Sequence, residues 1–461
     1  MASVTAQSNG PLHVFFFPFM SPGDLIPMID IARLFASHGA KATILATPQN
    51  ITRFQTILNR DQHTTTTNNN NIIDLLVLDF PYSEAKLPEN CENLDTLPSR
   101  NLSYNFTKAI MMLQPQAQQL VQQHQPDAII SDLNFPWTAE IARNCGIPRL
   151  VFHGTCCFSL CLTSCASQYK PRATLSSDTE PFLVPSLPHP MPNRFFGNLG
   201  LHEFFEKFME ADRDTYGVVS NTFYEIEPEY VKHYEKLSGK KVWPVGPVSL
   251  FNTKALDIAE RGNRASIDKD KVLTWLDSKK PNSVLYVCFG KIATKMGFLP
   301  EGFEERVRDR ALVIKGWAPQ VLILNHWAVG GFVTHCGWNS VLESVTAGVP
   351  LITWPLFAEQ FYNENFVLSR LEIGAGIGVK TGLAWGEEEN IGVLVTRDRV
   401  EEVVTRLMGE SEAVQGMRNR VSELSKMAMA AISKGGSSYV NMELLIKDLL
   451  NLRRDRLSKR E

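Results

Sequence analysis

Residues 13–18 form an apolar run with one polar residue at its start. After the turn MSPGD, the apolar positions Leu25, Met28, Ile29, Ala32, Phe35 and Ala36 recur at helical spacing until Gly39. Ala42 to Ala46 is a second short apolar run. Run, amphipathic helix and run predict a βαβ unit, hence a parallel sheet with helices on both faces. The same pattern recurs with a strand from Ala128 to Ser131 ending at Asp132, a helix from Phe135 to Cys145, and a strand from Arg149 to Phe152 followed by His153. Gly217 to Glu227 and Val242 to Pro247 supply two more strand segments. Ser249 to Ser266 is charged and lacks apolar periodicity, so it reads as a polar linker.

A second sheet opens with a helix from Asp270 to Lys279 and a strand from Ser283 to Phe289. Ala311 to Ile314 is expected to be the next strand. GGFVTHCG is a buried strand ending in His335, and Pro350 to Pro355 is another. From Asp398 onward Val400, Val403, Val404 and Leu407 mark one helix face. A last helix, Tyr439 to Leu452, precedes the basic stretch RRDRLSKRE, which reads as solvated. The tract TTTTNNNN at 64–71 reads as a surface loop.

At 461 residues, two large α/β domains account for the length. A net charge of −3 gives no basis for binding nucleic acid or an anionic membrane. The start MASVTAQSNG lacks a basic n-region, and Leu12 to Met20 is too short to span a bilayer. A cytoplasmic protein is therefore expected, with eight cysteines as reduced, packed thiols because no CxxC pair is present. The sequons at Asn50, Asn101 and Asn105 would then go unused.

Chemistry concentrates between Trp317 and Gln360. The strand ending at His335 leads through Cys336 and Gly337 into a helix with Val341, Leu342, Val345 and Ala347 on its apolar side. Strand, glycine-containing turn and helix start collect anions, because free N–H groups and the positive end of the helix dipole converge there. His335, Asn339 and Ser340 add side-chain donors. Glu343, one turn after Asn339, suits a cis-diol such as ribose, and Glu359 and Gln360 could bracket sugar hydroxyls. An aromatic ring, anion donors, a diol acceptor and a hydroxyl reader together describe a nucleotide sugar. Gly374, Gly376 and Gly378 fit GxGxG, not GxGxxG, so a nicotinamide oxidoreductase has little support. Elsewhere Asp24, Asp132 and His153 are candidate site residues because polar groups at the C-terminal ends of strands form the sites of open α/β sheets. For His153 an ordinary hydrogen-bonded strand end is the simpler reading.

The Trp317 to Gln360 segment resembles the signature box of plant small-molecule UDP-glycosyltransferases in length, order and nearly every polar position, and the resemblance extends over nearly the whole chain. It implies the GT-B arrangement of two facing Rossmann-like domains with parallel sheets. Residues 1–248 would bind the acceptor, 249–266 link the halves, 267–438 bind the UDP-sugar, and 439–461 return as a helix onto the first domain. Trp317 would stack on uracil beside Ala318 and Gln320. His335, Trp338, Asn339 and Ser340 would hold the pyrophosphate, Glu343 the ribose, and Glu359 and Gln360 the sugar. The terminal glutamine is associated with glucose, so the implied donor substrate is UDP-glucose, without a further cofactor or a metal. The implied acceptors are small lipophilic phenolics, flavonoids or terpenoid acids, and no membrane span, nucleic acid or obligate protein partner is implied. The step would be an inverting in-line displacement at the anomeric carbon.

Two departures stand out. The family carries a base histidine after the first strand, oriented by a later aspartate; here Asp24 replaces the histidine while Asp132 is retained. A carboxylate is a much poorer base than an imidazole near neutral pH. Two facing carboxylates would also repel, raising one pKa. In addition, Gly290 is followed by KIATKM and the chain reaches Leu299 at once, too short for the helix, strand and loop the family places there. One helix and one central strand of the second sheet are expected to be absent, with Lys291 where a phosphate-contacting serine is expected. The alternative function is therefore a catalytically impaired UDP-sugar-binding relative or truncated isoform.

Overall fold

The computed structural model describes residues 10–64, 73–169, 182–189, 192–193, 202–263, 265–290, 299–380 and 395–459. The polar tract beyond residue 64 and Lys291 lie outside them, as does much of the Pro- and Phe-rich region around residues 181–208. The chain forms two compact units, one of residues 1–157, 198–251 and 430–461, the other of residues 158–197 and 252–429.

Among the described residues, the first unit is built on seven parallel strands. They are β1 (His13–Phe17), β2 (Lys41–Ala46), β3 (Ile73–Val77), β4 (Ala128–Asp132) and β5 (Arg149–His153), with β8 (Gly217–Ser220) and β9 (Lys241–Pro244) completing the sheet. The intervening β6 (Phe182–Leu183) and β7 (Pro192–Asn193) form a small antiparallel pair. The sheet order is β3-β2-β1-β4-β5-β8-β9. Because successive side chains of a strand point to opposite faces, Val14 and Phe16 enter one core with Leu25, Met28 and Phe35, while Phe15 and Phe17 enter the other with Phe106, Ile110 and Trp137. Both faces are covered, which is why these strands read as unbroken apolar runs. The strand order reverses between β1 and β4, the place where such sheets open a crevice at their C-terminal ends.

The helix Ser437–Ser458 belongs to this unit, with Met442, Leu445 and Leu449 in the core beside β1. It runs further than its apolar periodicity suggested. Of the stretch read as a solvated basic tail, residues 453–458 are helical, and Arg453 and Arg456 clamp Asp127 at 3.2 and 2.9 Å. Asp127 in turn accepts from the backbone N–H of His13 at 3.0 Å. A charge clamp of this kind leaves no signature in hydropathy.

In the second unit the sheet order is β10 (Val284–Cys288), β11 (Val329–Thr334), β12 (Leu351–Thr353), β13 (Gly374–Gly376), all parallel. Among the described residues this sheet has four strands against seven in the first unit, and β10 lies at an edge. Val287 of β10 is 52% exposed. Ala311–Ile314, expected as a strand, is half-buried and joins no ladder among the described residues. Between Gly290 and Arg310 the described chain holds one helix of 5 residues, Phe303–Val307, with no buried side chain. The expected neighbour strand would have to come from this stretch, so Ala311–Ile314 has nothing to pair with among the described residues. Gly374 and Gly376 sit inside β13, where a Cβ at Gly374 would lie 2.9 Å from the Leu351 carbonyl oxygen. These glycines serve close strand packing.

The segment read as a polar linker is folded. Val248–Phe251 is a 3-10 turn with Val248 and Ser249 buried, Ala255–Ala259 is helical, and Asn252, Asp257 and Arg261 are buried. Two of its charged residues, Asp257 and Arg261, are buried, which composition could not show. No helix among the described residues is long and apolar enough to cross a membrane. All eight cysteines are free thiols.

Candidate functional site

The second unit brings most of the expected donor residues to one place. β11 delivers His335, after which Cys336 adopts φ +66° and Gly337 caps the helix Trp338–Ala347. A left-handed non-glycine residue is strained and needs support. Thr334 Oγ1 accepts from the Cys336 N–H at 3.2 Å, and Asn363 Nδ2 donates to the Cys336 carbonyl at 2.9 Å. Asn363 is itself fixed by Ser159 Oγ, which donates to its Oδ1 at 2.9 Å. Sequence reasoning missed Asn363; its only signal was a polar residue one turn after Glu359.

His335 is walled by glycines. A Cβ at Gly337 would lie 2.7 Å from its Nε2, and one at Gly290 would lie 3.2 Å from its Cε1. Burial lowers its pKa to about 4, the Cys288 backbone opposing this, so the ring is neutral near pH 7. Its buried Nδ1 has no hydrogen-bond partner among the described residues, and neither has the buried Nε1 of Trp317. The first-turn N–H groups of Trp338, Asn339 and Ser340 have no intrahelical acceptors by the geometry of a helix start. The indole of Trp338 is in the core, 6.3 Å from the Phe366 ring, so what it offers an anion is its backbone N–H.

Glu343 is 6% exposed. Gln320 Nε2 donates to its Oε2 at 2.7 Å and touches Ser340 Oγ at 3.2 Å, and the Arg261 guanidinium pairs with Oε1. Arg261 was hidden in the supposed linker. Trp317 and Ala318 precede the helix Gln320–Leu324, and the Trp317 carbonyl accepts from the Ser266 N–H at 2.9 Å. Glu359 caps the helix Gln360–Phe366, and burial raises its pKa. Gln360 Oε1 accepts from the N–H groups of Leu356 and Phe357 at 3.0 and 3.2 Å, closing the turn after β12 and committing its carbonyl internally.

In the first unit Asp24 lies in the first turn of the helix Pro22–Ser37. A Cβ at Gly154 would lie 2.2 Å from its Oδ1, so glycine after β5 makes room for this carboxylate. Asp132 ends β4, where its Oδ1 accepts from Asn134 N–H and Nδ2 at 2.9 and 2.7 Å. Burial raises its pKa to about 6, with the Asn134 hydrogen bonds and the charges of His153 and Arg149 acting against it. Desolvation is thus the leading cause of its shift. His153, ending β5, is buried with its Nε2 3.3 Å from Asp212 Oδ1, an ion-pair contact without hydrogen-bond geometry, so the ordinary hydrogen-bonded strand end expected for it is not what this nitrogen makes. Asp132 and His153 end the adjacent strands β4 and β5, and Asp24, in the helix after β1, stands beside Gly154 just past β5.

The family described as UDP-glucoronosyl and UDP-glucosyl transferase matches residues 278–382. Scopoletin glucosyltransferase of Nicotiana tabacum is 43% identical over 478 aligned positions, covering 95% of this chain and 98% of that protein. That alignment is longer than the chain itself, so the relative carries residues this chain lacks. Among solved structures, UGT73P12 of Glycyrrhiza uralensis, complexed with glycyrrhetinic acid 3-O-monoglucuronide, superposes with a TM-score of 0.89 at 37% identity, covering 98% of each chain. UGT89C1 of Arabidopsis thaliana, complexed with UDP-L-rhamnose, gives 0.72 at 27% identity, covering 96% of this chain and 100% of that one. Taken with the parallel sheets and the strand-turn-helix around His335, these likenesses place the chain in the plant small-molecule UDP-glycosyltransferase family, as a glycosyltransferase of GT-B fold.

Proposed function

We propose that the protein transfers glucose from UDP-glucose to an oxygen of a small lipophilic acceptor, a phenolic, flavonoid or terpenoid acid, with inversion at the anomeric carbon, in the cytoplasm. The observation that carries this is the neutral His335, walled by Gly290 and Gly337 and set against the start of the helix Trp338–Ala347. Such a cradle accepts a diphosphate with neutral donors and a helix dipole, and it stabilises the charge that grows on departing UDP. Trp317 stacks on the uracil beside Ala318 and Gln320, Glu343 accepts from the ribose hydroxyls, and Glu359 and Gln360 read the glucose. Because the Gln360 carbonyl is already used, its amide N–H groups are what it offers the sugar. Asp24 receives the acceptor proton, and Asp132 is its positioning partner. A carboxylate in that role favours acceptors that ionise readily.

Calorimetry with UDP on the folded protein tests the donor half, and transfer from UDP-glucose to a panel of phenols and carboxylic acids tests the rest. Absence of UDP binding at millimolar concentration overturns the reading. The second reading, an impaired relative that binds UDP-sugar without efficient transfer, is favoured by Asp24 in place of the histidine and by the four strands of the second sheet among the described residues. UDP binding without turnover on any acceptor would select it.

A further inference from the structure

We propose that Arg261 is a positioning residue for nucleotide recognition, holding the Glu343 carboxylate in the orientation that accepts the ribose diol; this rests on the assignment of Glu343 to ribose.

Arg261 follows the helix Ala255–Ala259, which packs on the helix Gln320–Leu324. The chain then turns at Gly262, with φ +95°, and runs to Ser266. There Ser266 N–H and Oγ both donate to the Trp317 carbonyl, at 2.9 and 3.1 Å, and a Cβ at Gly316 would lie 2.9 Å from the Ser266 side chain. The segment 252–266 therefore lies along the Trp317 and Glu343 side of the donor site. It brings the cation Arg261, 9% exposed, against Glu343, 6% exposed.

A carboxylate offers about four lone-pair directions. The Arg261 guanidinium takes one on Oε1 and Gln320 Nε2 takes one on Oε2. That leaves one direction on each oxygen, the number needed to accept from two vicinal hydroxyls. Held from both sides by donors of fixed geometry, the carboxylate cannot rotate to spend both remaining directions on water or on one hydroxyl. A buried pair that is broken from one side leaves its partner charged and uncompensated, so losing Arg261 is expected to let Glu343 swing or recruit another donor.

The test compares UDP with 2′,3′-dideoxyuridine 5′-diphosphate by calorimetry on the full chain and on Arg261→Met and Arg261→Lys. The parent should bind UDP well above the dideoxy nucleotide. Arg261→Met should weaken UDP roughly tenfold or more, as expected for a lost charged hydrogen bond, while leaving the dideoxy nucleotide within about threefold. Arg261→Lys should recover part of the preference. In turnover, the Arg261→Met loss should fall on KM for the UDP-sugar more than on kcat. An equal loss for both nucleotides would reduce Arg261 to a structural residue and overturn the proposal, as would tighter UDP binding in Arg261→Met, which would make the guanidinium a competitor of ribose. A parent that fails to prefer UDP would instead remove the Glu343 assignment. Should Arg261→Met not fold, the preference ratio within Arg261→Lys decides: unchanged from the parent, it overturns the proposal.

Discussion

The two sheets begin alike and end differently. In the first unit β1 sits in the middle of seven strands with partners on both sides, and Val14 through Phe17 are completely buried. In the second, β10 is also the opening strand, yet among the described residues it stands at an edge, with Val287 half in solvent. The cause lies downstream of each strand: the first chain winds out and back across β1, whereas after Gly290 too little sequence remains to do so. Of the proposed donor residues, His335, Trp338, Asn339, Ser340, Glu343, Glu359 and Gln360 follow β11 and β12, while Gly290, just after β10, walls His335. Substitutions in each unit measure how far this difference between the sheets reaches.

The largest contrast should be in stability. Phe16→Ala is expected to cost about 3–5 kcal/mol, because a fully buried ring leaves a cavity. Val287→Ala on the edge strand should cost under about 1 kcal/mol. Urea unfolding followed by fluorescence measures both, and similar costs would mean that the β10 edge is as well covered as β1. Next in size, Asp24→His should raise transfer to an aliphatic alcohol by about a hundredfold, the low end of what general base catalysis contributes, with a much smaller gain on an acidic phenol. Equal rates on the alcohol for parent and variant would show that Asp24 does not handle the proton. Gly337→Ala forces a methyl to 2.7 Å from His335 Nε2 and should weaken UDP binding about tenfold, an overpacking penalty of typical size. An unaltered isotherm would remove His335 from the phosphate contacts.

The remaining contrast is in the response to acid. His335 titrates near 4 in the folded protein, below its usual 6.5, so the stability it contributes is present above about 6.5 and is lost as pH falls toward 4. His13 in the first unit, likewise lowered to about 4 by burial, acts in the same sense. Asp132, raised to about 6, acts in the opposite one: its contribution is present at low pH and is lost as pH rises through 6. The first unit thus carries a group that opposes its histidine. Between pH 6.5 and 4.5 His335→Gln should flatten the acid loss of stability, and Asp132→Asn should steepen it.

Much of the architecture was legible because a strand buried on both faces has to be written in apolar residues, and because the residues around His335 form an ordered run with few other uses. What could not be read was carried by pairing. Arg261 sat among charges that looked solvated, and only three-dimensional proximity to Glu343 reveals a partner 82 positions away. Arg453 and Arg456 escaped for the same reason. Ala311–Ile314 failed in the opposite direction: its residues suit a strand, but strand formation also requires a neighbour. Gln360 stood out as a polar residue after a strand, while the bonds that consume its carbonyl depend on the fold of the Leu356–Phe357 turn.

The helix Ser437–Ser458 completes the core beside β1 only after every residue of the second unit has been made. During translation the opening sheet, already backed by Leu25, Met28 and Phe35, must therefore wait on the ribosome without the part of its cover that Met442, Leu445 and Leu449 supply. Ending synthesis before Met442 would harm the half built first, so nonsense mutations late in the message should leave an insoluble product that chaperones hold rather than a working fragment.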